Sequence, residues 1–225
     1  MWKNNFFTQT MSFNFTKNFN HFCGQYQQND TIEQNPTIDY AHRYSSWHLC
    51  YDFFQKNNTA NSEMAKREMA KREMALHLGF YLASWGMMRG SSALLNCGIG
   101  VFEELSEVLV KNKENPAKEQ YTAIFNFCND KKISPKISPT LTLITKIMLG
   151  VYGNMPAIDT YFKKTANAIQ NINFSHTVQP HNFDNLMGKI NKIKAKYQSE
   201  ITALTKINLP EMKILDMALF NASFK

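Results

Sequence analysis

Asp159 combines a reactive residue type with a position that could support catalysis. It follows an apolar stretch that ends in a glycine-containing turn, and it stands just after Pro156, where a new helix is predicted to begin. A carboxylate at a helix N-terminus is kept ionised by the macrodipole and by free N–H groups. Such a group can stabilise positive charge that develops on a substrate, and it can activate an attacking water. Asp is also a common N-cap, so capping alone is the alternative.

A second set of residues could form a binding pocket at a bend in the chain. Tyr81 and Trp85 come just before a segment rich in glycine and serine that also holds Arg89. Glycine lets a backbone approach a ligand closely, and the fixed donors of an arginine suit phosphate or a modified base. An ordinary place in the core is the alternative for the two aromatic residues.

The segment from Thr142 to Phe162 resembles the catalytic core of the helix-hairpin-helix DNA glycosylase superfamily, especially its 8-oxoguanine-glycosylase-like branches. In that family a helix and a short turn precede a Pro-x-x-Asp-Thr-like sequence, which Pro156 to Thr160 match here. The segment from Lys213 to Phe220 is similar to a terminal helix of the same group. The resemblance implies a helix-hairpin-helix-like fold with Asp159 as the catalytic carboxylate.

The activity that the resemblance implies is hydrolysis of the N-glycosidic bond of a modified or damaged base, leaving an abasic site. Positive charge builds on the deoxyribose, as in glycoside hydrolysis, and a nearby carboxylate stabilises it. The base must leave the stack, so Tyr81, Trp85 and Arg89 are candidates for the pocket that receives it. We expect double-stranded DNA as the partner, with modified phage DNA as one source of such bases, and neither a cofactor nor a protein partner.

The chain departs from the family pattern in the hairpin that holds DNA phosphate. That glycine-rich hairpin would fall between Asp130 and Thr140, where this chain has no glycine. Phosphate contacts would then come from side chains of this segment and of the helix after it. These are Lys131, Lys132, Ser134, Lys136, Ser138 and Lys146.

The chain also departs from the pattern of bifunctional members, which carry a Schiff-base lysine upstream of the Asp. Lys146 lies 13 positions before Asp159, closer than that pattern predicts. We therefore expect a monofunctional enzyme with no lysine–sugar intermediate.

A lysine stripe is predicted on a helix near the C-terminus. Lys189, Lys192 and Lys196 follow one another at helical spacing, opposite an apolar face. Such a stripe usually serves solubility. We expect it to border a DNA site only if it shares a side with Asp159.

Two other functions remain open at this point. The spacing of Arg43 and His48 resembles the Arg-x4-His motif of HEPN-type ribonucleases, which are all-helical toxin and defence proteins. A structural histidine on an aromatic helix is the alternative for His48. The second possibility is a non-catalytic helical DNA-binding protein in which Asp159 is only a cap.

The excess of basic residues favours nucleic acid or an anionic membrane surface as a partner, and a soluble protein with excess lysine is the equally supported alternative. The chain has 225 residues, and its 25 Lys and Arg against 18 Asp and Glu give a formal charge of +7. Such a charge bears on partners, not on fold. The four cysteines are widely spaced, so neither a disulfide nor a metal site is predicted. No signal peptide and no run of eighteen apolar residues is found, so we expect a soluble, cytoplasmic protein without a membrane partner.

Hydrophobic periodicity predicts an all-α fold. Residues 1–36 lack a clean period and are expected to form an irregular N-terminal arm, with one helical domain over 37–225. A tandem Glu-Met-Ala-Lys-Arg duplication is expected to form a charged helical extension, and residues 86–100 a bend. The predicted helices cover 40–54, 101–109, 116–128, 140–151, 158–171, 181–205 and 210–220.

Overall fold

The structure is a computed structural model that describes residues 13–24, 45–56, 64–90, 92–130, 133, 136–205 and 208–222. Over these residues the chain forms α-helices and no strand, which confirms the all-α prediction. The helices are α1 (Phe15–Gly24), α2 (Ser46–Lys56), α3 (Met64–Ser84), α4 (Ile99–Lys111), α5 (Ala117–Asn129), α6 (Leu141–Val151), α7 (Thr160–Gln170), α8 (Phe183–Lys196), α9 (Gln198–Leu204) and α10 (Glu211–Ala222).

Helix α6 lies at the centre of the core. It is apolar nearly all round, and a helix of that composition must be enclosed on every side. Helices α2, α3 and α5 pack around it. The Trp47 indole N–H donates to the Leu149 carbonyl at 2.9 Å, and the Tyr81 hydroxyl donates to the Lys146 carbonyl at 3.0 Å. Gly150 allows the close approach, because a Cβ there would overlap the Tyr81 ring.

Helix α10 is the second buried element, and it packs against α1 and α7. Phe15, Phe19 and Phe22 of α1 are all buried, and the Asn221 side-chain amide donates to the Asn18 carbonyl at 3.2 Å. The prediction of an irregular arm over residues 1–36 is therefore wrong for Phe15–Gly24. The three phenylalanines are spaced for one helix face, but the asparagines between them weaken the periodic signal. The rest of that arm lies outside the described residues.

The predicted bend follows α3, and two glycines with positive φ shape it. Gly86 has φ +78° and Gly90 has φ +59°, values that residues other than glycine rarely adopt. The Arg89 guanidinium folds back over Gly86, where a Cβ would overlap it. The segment then forms a short 3₁₀ turn at Ala93–Asn96 before α4 begins.

Two other predictions are refined by the structure. The described part of the tandem duplication, residues 64–72, belongs to α3, and Lys71 within it pairs with Glu107 of α4 at 2.7 Å. The helix expected over 181–205 is divided at Tyr197 into α8 and α9, and the Tyr197 ring packs against Phe13 and Phe15 with centroids 5.2 and 5.1 Å away. Among the described residues, none of the helices has the length and apolar character needed to cross a lipid bilayer.

Packing of α1 against α10 predicts a large loss of stability when Phe19 is replaced by Ala. The Phe19 side chain is 1% exposed, and removing a buried phenylalanine ring costs about 3–5 kcal/mol of unfolding free energy. Asn20→Ala on the exposed face of the same helix is the control, and it should change stability by less than about 0.5 kcal/mol. Urea denaturation followed by circular dichroism measures both. Equal stability of the two variants would contradict the packed position of α1.

Candidate active site

Asp159 is the N-cap of α7, where its place in the sequence predicted a helix start. Its backbone is extended, with φ −90° and ψ −172°. One carboxylate oxygen, Oδ1, accepts hydrogen bonds from the backbone N–H groups of Tyr161 and Phe162, both at 3.0 Å. Capping therefore uses one oxygen of the carboxylate and leaves the other free for a second partner.

That second partner is Lys146 of α6. Its Nζ lies 3.7 Å from Asp159 Oδ2 and donates to the Trp85 carbonyl at 2.7 Å. The Lys146 side chain is 5% exposed, so burial lowers the pKa of its amine, and the charges of Asp159 and Asp216 partly offset this effect. Because the amine is buried beside Asp159, we move Lys146 from the expected phosphate contacts to the Asp159 site.

The turn that precedes Asp159 is fixed by hydrogen bonds to its backbone. Ile158 N–H donates to the Thr145 hydroxyl at 2.9 Å, and the Thr142 hydroxyl donates to the Ile158 carbonyl at 2.9 Å. Ala157 N–H donates to Asp216 Oδ1 at 3.1 Å. Sequence reasoning missed the role of the two threonines, whose only signal is their spacing of three on one apolar helix. Together these bonds hold the carboxylate in one place.

A second buried ion pair lies behind the first, within α10. Lys213 Nζ is 3.5 Å from Asp216 Oδ2, and their side chains are 1% and 3% exposed. The ammonium also lies over the rings of Trp85 and Trp47, 4.7 and 4.9 Å from their centroids. Burial raises the pKa of Asp216 to about 6, and the charge of Lys213 opposes that rise. The available signal was a Lys and an Asp three positions apart in an otherwise apolar helix.

Tyr81 and Trp85 form the wall behind this site. They are 1% and 8% exposed, and the Trp85 ring packs edge-on against Phe220 at a centroid distance of 5.6 Å. Their polar contacts support Lys146, one through the Tyr81 hydroxyl and one through the Trp85 carbonyl. In this structure they are core residues that carry the Lys146–Asp159 pair, not side chains of an open base pocket.

Arg89 is the member of the predicted pocket that reaches the surface. Its Nε lies 3.4 Å from the Gly86 carbonyl, and its side chain is exposed. Its positive charge lowers the pKa of Lys146, which places it within electrostatic reach of the pair. Arg89 therefore belongs to the border of the site.

The predicted lysine stripe lies along the last turn of α7 and the segment that follows it. Lys189 donates to the Asn173 carbonyl at 2.8 Å and Lys196 to the Ile169 carbonyl at 3.2 Å. Lys163, which the sequence analysis did not single out, donates to the Ser175 carbonyl at 3.3 Å. Burial lowers the pKa of Lys163, and the charge of Asp159 partly offsets this effect. These amines form a basic border that begins one turn after Asp159. Lys192 is exposed between Lys189 and Lys196.

The residues expected to replace the hairpin are described only in part. Lys131, Lys132 and Ser134 lie outside the described residues. Lys136 and Ser138 are exposed just before α6. Backbone N–H of Leu141 donates to the His176 carbonyl at 2.8 Å, which joins this segment to the one that carries the basic border.

The alternative ribonuclease site cannot be assembled from the described residues, because Arg43 lies outside them. His48 is half-buried on α2 and packs edge-on against Trp47 at a centroid distance of 4.8 Å. Burial and the charge of Lys213 lower its pKa to about 4. The imidazole is therefore neutral at physiological pH.

Comparison of the chain with protein-family models, with curated proteins and with solved structures finds no match.

Proposed function

We propose that the protein is a DNA glycosylase in which Asp159 is the catalytic carboxylate. The observation that carries this proposal is the second oxygen of Asp159. A cap needs one oxygen, yet the other faces a buried amine at 3.7 Å. Among the four charged side chains of the two pairs, Asp159 also has the largest exposed fraction, 11%, so it is the one that a substrate reaches first.

The proposed reaction breaks the bond between deoxyribose C1′ and the base nitrogen. The base leaves with the bonding electrons and takes up a proton, while water adds to C1′ and loses one. Asp159 stabilises the positive charge on the sugar and accepts the proton of the water. The products are the free base and an abasic site. The hydrogen bonds at Ala157 and Ile158 preorganise the carboxylate for this step.

Asp159→Asn tests this role, because the amide keeps the capping oxygen but loses the negative charge. Asn and Asp cap helices about equally well, so α7 should keep its N-terminus. Lys146 loses its counter-ion, which can cost up to about 3–5 kcal/mol of stability, so excision is compared at a temperature where circular dichroism shows both proteins folded. Base excision should fall on the order of 10²–10³-fold, the usual effect of removing one electrostatic stabiliser of a transition state. Excision is measured as alkali-labile strand breaks in duplexes that carry damaged and heavily modified bases.

Asp184→Asn is the matched control for this substitution. Asp184 is exposed in the first turn of α8 and pairs with Lys118 at 2.7 Å. Asp184→Asn therefore removes the same charge from an ion pair at the surface. We expect wild-type excision from this control. Full activity of Asp159→Asn would show that Asp159 serves only as a helix cap, and it would contradict the proposed glycosylase mechanism. The ribonuclease would be favoured instead if the wild type cleaved RNA but excised no base from DNA, and if His48→Ala abolished the RNA cleavage.

Lysine-dependent DNA binding is the second part of the proposal. The basic border begins beside Asp159 and follows the segment after α7, and each phosphate it contacts should release counterions. Arg89, Lys136 and Ser138 are exposed, and they are candidates for further phosphate contacts.

Lys192→Gln should weaken duplex binding and reduce the slope of log affinity against log salt by about one, with little dependence on sequence. Lys192 is chosen because it is exposed, whereas the neighbouring Lys189 and Lys196 bond to backbone carbonyls. Lys111→Gln at the end of α4 is the matched control, and it should leave the slope unchanged. Fluorescence anisotropy over a salt series measures both. An unchanged slope for Lys192→Gln would exclude this border from the DNA interface.

A combined glycosylase and lyase is a second candidate that the position of Lys146 favours. A lysine amine whose pKa is lowered by burial has a larger neutral fraction, and the neutral amine is the nucleophile. The neutral amine could attack C1′ and expel the base, and the amine proton would pass to Asp159, 3.7 Å away. The bond between C1′ and the ring oxygen of the sugar then breaks, which leaves an imine between Lys146 and the opened sugar.

Borohydride trapping tests the lyase. It should give a covalent protein–DNA adduct with the wild type and none with Lys146→Arg, because a guanidinium does not form the imine but keeps a positive charge beside Asp159. Denaturing gel electrophoresis detects the adduct. Excision without any adduct in the wild type would instead support the monofunctional enzyme that the sequence spacing predicted.

A further inference from the structure

We propose that Asp216 is a positioning residue for Asp159, acting through the hydrogen bond that it accepts from the backbone N–H of Ala157. This inference rests on the proposed function, because it assigns Asp216 a role in the activity of the same site. Asp216 lies in α10, which the resemblance treats only as a terminal helix. Its side chain is 3% exposed, so it touches neither solvent nor substrate directly.

The contact between Asp216 and Ala157 crosses from α10 to the turn that carries Asp159. The separation from Ala157 N to Asp216 Oδ1 is 3.1 Å, and the next backbone N–H, of Ile158, is held by Thr145 of α6. Two successive amides are thus fixed by side chains from different helices. If the Ala157 amide is released, the turn can rotate about the Ile158 amide, and the Asp159 carboxylate moves with the turn.

Stability alone does not explain a carboxylate at this place. Replacing a buried ion pair by apolar residues of similar size is often neutral or stabilising. The remainder of α10 from Ile214 to Ala222 is almost wholly apolar and would pack without a charge. Keeping Asp216 also requires Lys213 beside it, with the ammonium enclosed by Trp47 and Trp85. The arrangement provides the Ala157 amide with a hydrogen-bond acceptor.

The charges around Asp216 determine how it can be substituted. Lys213 and Lys146 face it as cations and Asp159 as an anion, while Cys23 and His48 adjoin Lys213. Removing Asp216 alone would leave Lys213 without its counter-ion, which typically costs about 3–5 kcal/mol of stability. Each test variant therefore carries Lys213→Met, which removes the cation and keeps an apolar side chain in the aromatic enclosure.

Two double variants separate the hydrogen bond from the bulk of the side chain. Lys213→Met with Asp216→Asn keeps an oxygen that accepts from Ala157, whereas Lys213→Met with Asp216→Leu has a similar volume and no acceptor. If the leucine variant does not fold, Asp216→Ala in the same background removes the same acceptor. Thr165→Val is the matched control, because the Thr165 hydroxyl donates to the Leu219 carbonyl and so joins α7 to α10 away from the turn.

Amide hydrogen exchange and excision kinetics are measured on all variants. In the leucine variant we expect faster exchange at Ala157, and at Tyr161 and Phe162, whose amides report the Asp159 cap. Its kcat should fall about 10- to 100-fold with KM nearly unchanged, the effect of a displaced catalytic group. The asparagine variant and Thr165→Val should keep the exchange pattern and stay within about threefold of wild-type kcat.

Equal exchange and equal kcat in the asparagine and leucine variants would overturn the inference, whether both are active or both inactive. If the wild type excises no base from any duplex, the proposed function fails. The exchange of Tyr161 and Phe162 then still decides whether Asp216 positions the carboxylate. The two failures are therefore distinguishable.

Discussion

Charge buried in an apolar interior is costly unless it is paired, and this constraint governs how α6, α7 and α10 meet. Lys146 and Lys213 enter the core from α6 and α10, and Asp159 and Asp216 lie opposite them at 3.7 and 3.5 Å. Removing one member of such a pair costs about 3–5 kcal/mol, a large part of the stability of an ordinary domain. Of these two pairs, Lys146–Asp159 joins α6 to the start of α7, whereas Lys213 and Asp216 both lie in α10. A shift of α6 against α7 would therefore separate charges, and a shift of α10 would break the hydrogen bond from Ala157 N–H to Asp216.

Helix ends supply most of the partners that the buried charges use. The Trp85 carbonyl follows the last turn of α3, where carbonyls lack N–H donors within the helix, and it accepts a hydrogen bond from the Lys146 amine. The first amides of α7 are capped by Asp159, and the amide of Ala157 before them is bound by Asp216. Polar groups that each helix leaves unsatisfied are thus joined into one buried network.

The same network explains why the carboxylate is more than a cap. Its two oxygens have different surroundings, since Oδ1 is held by backbone amides and Oδ2 faces an amine. The first contact fixes its direction and the second places a basic nitrogen beside it. Lys163, Lys189 and Lys196 continue positive charge away from this point by bonding to the backbone between Ile169 and Ser175.

The sequence by itself determined the helical class, the bounds of α6 and α7 to within a residue or two, and the place of Asp159 at a helix start. These depend on local signals: apolar period, the turn around Gly153, and an Asp that follows Pro156 closely. Tertiary structure alone decided that Phe15–Gly24 is a packed helix and that Tyr81 and Trp85 support Lys146 from within the core. It also decided that Asp216 holds Ala157. Those contacts join residues dozens of positions apart, such as Trp85 and Lys146 or Ala157 and Asp216. Periodicity shows which face of a helix is apolar, but it does not show which element lies opposite, because that depends on how all the helices pack at once.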